Sequence, residues 1–166
     1  WTNIDAYYSK DDWYKDELYC NYKCNVILTV GLPGTGKDTY ISKTYQNMKV
    51  VSLDGIRDEL KLKPQEDESK VIMIAKNRAK EYLRCGISFV WNATNITTQT
   101  REMQISLFEE YGASVETVFL ETEWNEQIRR NQNRKDEVPT TVIEKMLSKL
   151  TLPERYESEK VLWKTV

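Results

Sequence analysis

Apolar residues come along this chain in short blocks separated by polar stretches with helical spacing. Val26-Ile27-Leu28-Thr29-Val30 is a nearly continuous apolar run of strand length, the pattern of a strand covered on both faces. Similar blocks fall at 48–53, 87–91, 113–120 and 160–166, and each predicts a strand. Between them lie segments whose apolar residues recur every three or four positions. The clearest is 66–84, with Val71, Ile72, Ile74, Ala75, Ala79, Tyr82 and Leu83, closed by Gly86. Further helices are predicted over 37–45, 56–62 (stopping before Pro64), 100–111 (closed by Gly112), 124–134, and from Pro139 to about residue 150. Strands alternating with helices at these lengths predict an α/β fold, a four- to five-stranded parallel sheet flanked by helices. In such a sheet, ligands bind beyond the carboxyl ends of the strands.

The loop after the first strand carries the strongest chemistry. Gly31-Leu-Pro33-Gly34-Thr35-Gly36-Lys37-Asp38-Thr39 fits G-x-x-x-x-G-K between a buried strand and a helix. Glycines let backbone N–H groups turn inward around a phosphate, the helix start adds its positive dipole end, and Lys37 reaches the β- and γ-phosphates. This predicts nucleoside triphosphate binding. After the lysine the pattern has Ser or Thr as a Mg²⁺ ligand; here Asp38 stands there, followed by Thr39. Asp38 can ligate the metal as a hard oxygen donor or turn away from it.

Composition narrows the class. At 166 residues the chain has the length of one domain, with net charge −2 and pI about 5.4, so general polyanion binding is not expected. No apolar run is long enough to span a membrane. Cys20, Cys24 and Cys85, without any histidine, make a poor zinc site and fit free thiols in a reducing cytoplasm. Acid–base work then falls to carboxylates. Residues 1–24 are crowded with Trp and Tyr among charges; they read as a lead-in packing on the core or a neighbour, or as base-stacking platforms. Residues 25–166 form the folded domain, and a start at Trp1 suggests one module of a longer protein.

Three clusters face the expected cleft. Asp54 lies past the second strand; it is a candidate base for an acceptor hydroxyl, or simply the N-cap of the next helix. Arg57, three residues on, suits a phosphate or carboxylate, or pairs with Glu59 or Asp58 on the surface. Arg130 and Arg134 share a helix face before a loop bounded by Pro139; they form an arginine-bearing lid over the triphosphate or a solvated basic face. The third strand ends in Trp91-Asn92-Ala93-Thr94-Asn95, without the metal-holding acid of many P-loop ATPases. That points to a small kinase.

Taken together, the loop, Asp54-x-x-Arg57, Thr94-Asn95, and Arg130-Asn131-Gln-Asn-Arg134 ahead of Val138-Pro139 resemble the P-loop polynucleotide 5′-hydroxyl kinases over about residues 26–150. The resemblance implies a P-loop kinase fold that uses ATP and Mg²⁺, with Asp54 as base and Arg57 on the acceptor phosphate. It implies Arg134 on the ATP phosphates with Arg130 in support, and Thr94 and Asn95 on the acceptor. It also implies a 5′-OH end of RNA or DNA as acceptor, and an attached end-processing domain. Asp38 and Ala93 depart from the family pattern. Arg57, Arg101, Arg129 and Lys135 are the residues available for a local basic path. Two alternatives stand beside this: a small-molecule or nucleoside kinase of the same fold, and a nucleotide-binding module without catalysis.

Overall fold

A computed structural model describes residues 22–63 and 65–166. The expectation for the aromatic lead-in falls almost wholly outside these residues. Its last residue, Cys24, already opens the first strand, β1, over Cys24–Val30.

The remaining strands are β2 (Lys49–Ser52), β3 (Phe89–Asn92), β4 (Ala113–Glu121) and β5 (Lys160–Thr165). They form one parallel sheet in the order β2-β3-β1-β4-β5. The register pairs Leu28 with Trp91 and Val51 with Trp91, so the carboxyl ends of β1, β2 and β3 lie side by side. The loops that follow these strands are therefore brought to one edge of the sheet.

Alternation along the strands divides the core. Val26, Leu28, Val30, Val51, Phe89 and Trp91 pack with α3 (Glu68–Arg84) through Val71, Ala75, Ala79 and Leu83, and with α4 (Thr98–Glu110) through Ile105 and Phe108. Ile27, Val90, Val118 and Leu120 pack on the other face against Ile41 of α1 (Lys37–Thr44), with Tyr40 and Tyr45 beside it. Strands buried on both faces need apolar residues at successive positions, which is why they read as continuous runs.

Helix starts follow their caps. The helix expected over 56–62 begins earlier, as α2 at Leu53–Leu60, because the Ser52 hydroxyl accepts the Gly55 amide at 3.1 Å. Thr97 caps α4 in the same way. Two more helices, α5 (Trp124–Gln132) and α6 (Thr140–Lys149), follow β4.

Candidate active site

The phosphate loop runs from the end of β1 into α1 at the centre of the sheet. Lys37 is folded over it, donating Nζ to the carbonyls of Gly31 at 2.9 Å and Leu32 at 3.0 Å. Burial pulls its pKa down to about 8; Asp38 and Asp54 oppose this, and Arg134 adds to it. Lys37, Asp38, Asp54 and Arg134 therefore share one electrostatic neighbourhood. Gly34 adopts φ +85°, and a Cβ there would lie 2.7 Å from the Gln127 carbonyl, so α5 packs directly on the loop. The Gln127 amide also donates to the Pro33 carbonyl at 3.0 Å. Thr35 is buried and its hydroxyl donates to the Leu32 carbonyl at 2.9 Å.

Asp38 is anchored to the end of β3. Its Oδ1 accepts the Asn92 amide at 2.7 Å, and the Asn92 oxygen faces the Thr29 hydroxyl at 3.4 Å. The end of β3 thus supplies an amide, and the loop supplies the carboxylate. Oδ2 of Asp38 is open among the described residues, and Thr39 is exposed beside it on the cleft.

Across the cleft stands the amino end of α2. With Ser52 as its cap, the Asp54 side chain is released from capping and is 64% exposed. Arg57 is largely covered and reaches Asp54 Oδ1 at 2.6 Å and both Glu68 oxygens at 2.8 Å. Its surface partner is neither Glu59 nor Asp58; Glu59 pairs with Arg78. Nothing near Arg57 in the sequence marks Glu68 as its partner.

The helix expected over 124–134 stops at Gln132, so Arg130 projects from α5 while Arg134 projects from the turn after it. Arg130 Nε donates to Glu126 at 2.9 Å, and its Nη1 lies 3.2 Å from where a Cβ on Gly36 would sit. Arg134 Nη2 reaches Asp54 Oδ2 at 3.5 Å. The lid segment between α5 and α6 is pinned by buried Asn131, whose side chain donates to the Val138 carbonyl at 2.6 Å and accepts its amide at 3.1 Å. Gln127 and Asn131 are positioning residues; motif reading passed over Gln127 and quoted Asn131 without assigning it a role. Both lie on the buried face of α5, four residues apart.

The β3–α4 loop holds the phosphate loop from behind. The Gly31 amide donates to the Thr94 carbonyl at 3.0 Å, and the Asn95 amide donates to the Thr29 carbonyl at 2.7 Å. Thr94 and Asn95 line the cleft, but the bonds of the buried Asn95 side chain run to the chain itself. Arg101 is corrected outright. It is fully buried, paired with Glu157 at 2.7 and 2.9 Å, and donates to the Asn95 carbonyl at 3.0 Å. A guanidinium so enclosed cannot meet an acceptor; it braces the loop. Of the expected basic path, Arg129 is held by Glu126, whose carboxyl these arginines pull down to about 2. Arg57 is held by two carboxylates, and Lys135 remains on the cleft wall.

A five-stranded parallel sheet flanked by helices, with this loop after its central strand, is the P-loop kinase fold. The family model described as AAA domain, AAA_33, matches residues 26–153, and the chain belongs to that family. Solved structures share the fold at low identity. A sugar kinase from Janibacter sp. HTCC2649 is 14% identical with TM-score 0.63, over 86% of this chain and 85% of that one. The Mycobacterium tuberculosis APS kinase CysC, solved in complex with AMPPNP and APS, is 15% identical with TM-score 0.57, over 86% and 90%. A chain of the Pnkp1/Rnl/Hen1 complex is 17% identical with TM-score 0.60, over 73% of this chain and 43% of that one. Among the described residues, no helix is long and apolar enough to cross a membrane.

Proposed function

We propose that this protein is an ATP-dependent phosphotransferase that moves the γ-phosphate to an alcohol, with Asp54 as general base. The observation carrying this reading is the meeting of Lys37, Asp54, Arg57 and Arg134 on one cleft, with Arg134 bridging the lid to Asp54. Phosphoryl transfer asks the protein mainly for positioning and charge stabilisation. The backbone of Gly31, Pro33, Gly34, Thr35 and Gly36 wraps the phosphates; Lys37 exchanges its two loop carbonyls for β- and γ-oxygens. Arg130 and Arg134 meet the charge that grows on the transferring group. Asp54, exposed and freed from capping, accepts the proton of the attacking hydroxyl.

Among the described residues, no three acidic or thiol side chains gather to hold a metal by themselves. Asp38 and Thr39 would hold Mg²⁺ together with the phosphates. The fit rests on the open Oδ2 of Asp38, whose Oδ1 is fixed by Asn92. When bound there, the metal would supply neutralisation of phosphate charge.

For the acceptor, the paired state of Arg57, Arg101 and Arg129 favours a compact alcohol over a long polyanion. The sugar-kinase and APS-kinase neighbours fit that reading. A 5′-OH end of RNA or DNA is the second reading; Asp54-x-x-Arg57, the lid motif and the Pnkp1 complex favour it, as does its corollary, a linked end-processing domain. ADP release from Mg·ATP, measured with small alcohols and with 5′-OH RNA and DNA oligonucleotides, separates them. Stimulation by a small alcohol alone supports the first reading. Stimulation by oligonucleotides alone replaces it with the second, and ATP binding with no acceptor stimulating release leaves a nucleotide-binding module.

A further inference from the structure

Two buried side-chain atoms stand without a hydrogen-bond partner among the described residues: Trp91 Nε1 and Gln104 Oε1. Trp91 is 1% exposed and Gln104 6%. Buried polar atoms are nearly always paired, because leaving one unpaired forfeits its hydration without return. A Leu at 104 would fill similar space without that loss. Both residues instead line the cleft that contains Asp54 and Arg57. Trp91 comes from β3, in register with Val51 of β2, three residues before Asp54. Gln104 comes from α4, on its buried face with Ile105 and Phe108.

We infer that Trp91 and Gln104 form the deep acceptor subsite, reading an uncharged polyhydroxylated compound of the sugar or polyol class. The indole N–H only donates, and the side-chain carbonyl only accepts. A hydroxyl does both, so adjacent hydroxyls of one ligand satisfy the two walls together. Charge points the same way. Arg57, the cation at the α2–α3 side of the cleft, is occupied by Asp54 and by both oxygens of Glu68. An anionic acceptor would have to displace Glu68, whereas a neutral one leaves the pair intact and presents its reacting hydroxyl to Asp54. This inference rests on the phosphotransferase reading above.

The test uses D-ribose and D-glucose as probes, with the wild type, Gln104→Leu, Gln104→Glu and Trp91→Phe. The readouts are ADP release from Mg·ATP and the thermal shift given by AMP-PNP. One sugar is expected to stimulate release. Gln104→Leu and Trp91→Phe should each raise its KM about tenfold, the loss of one hydrogen bond, with the KM for ATP unchanged. Gln104→Glu keeps an acceptor oxygen and should recover most of that loss. A merely structural role predicts altered melting temperatures with the sugar KM intact, and that result overturns the inference. So does stimulation by a 5′-OH oligonucleotide alone with all variants behaving as wild type, which leaves the kinase reading standing. If AMP-PNP stabilises the wild type yet neither sugar nor oligonucleotide releases ADP, the phosphotransferase reading fails and takes the subsite with it.

Discussion

The two walls of the cleft are built from different kinds of contact. The donor wall has a contiguous heart, a glycine loop with its own lysine, on which α5 packs at Gly34 through Gln127, 94 residues on from Pro33. The acceptor wall is assembled from contacts between separate elements. Arg57 meets Glu68 across the α2–α3 connection, and Arg101 meets Glu157 over 56 residues. The heart of the donor wall can therefore be recognised in a short stretch of sequence, while the side-chain contacts of the acceptor wall, like that of α5 on the loop, exist only in the fold. Stability should likewise concentrate behind the acceptor wall and nucleotide affinity in the donor wall.

The sharpest way to break this contrast is at the buried pair. Arg101→Ala leaves Glu157 charged and enclosed, and should destabilise the protein by about 3–5 kcal/mol in denaturant unfolding. Arg57→Ala, whose partners are substantially exposed, should cost under about 1 kcal/mol while raising the acceptor KM. Equal losses of stability in the two variants would erase the distinction. On the donor wall, Gly34→Ala puts a Cβ against the Gln127 carbonyl at a positive φ. We expect about 1–3 kcal/mol of lost stability and weakened ATP binding by calorimetry.

The smallest expected effect concerns pH. Lys37 titrates near 8 when unliganded, and bound phosphates favour its ammonium form. ATP affinity should fall by about tenfold between about pH 7.5 and 9, and Lys37→Met should flatten that slope. Folding stability moves the other way. The folded pKa lies below the unfolded value of about 10.4, so the unfolded chain holds more protons between about pH 8 and 10.4, and this group's contribution rises with pH across that window.

Much of this was legible before the fold. The five strands and the helices lie within a few residues of their hydrophobic blocks, most clearly for the inner strands β1, β3 and β4, whose burial on both faces demands near-continuous apolar runs. Asp54 was ambiguous, since Ser52 and Asp54 are both good caps; only the Ser52–Gly55 bond decides between them. Arg101 was misread although a signal existed. At i, i+4 and i+7 it shares the buried stripe of α4 with Ile105 and Phe108. Its partner lies too far along the chain for any spacing rule. Glu68 and Asn92 were out of reach for a similar reason: each acts through a contact that the sequence order does not announce.

The central claim is that this cleft transfers phosphate with Asp54 as base, and single-turnover transfer from γ-labelled ATP tests it most directly. Wild type and Asp54→Asn would be compared on whichever alcohol accepts the label, with ATP binding measured alongside. The account predicts a fall of about 10²–10⁴ in the transfer rate at unchanged ATP affinity. Transfer by Asp54→Asn at the wild-type rate would contradict it.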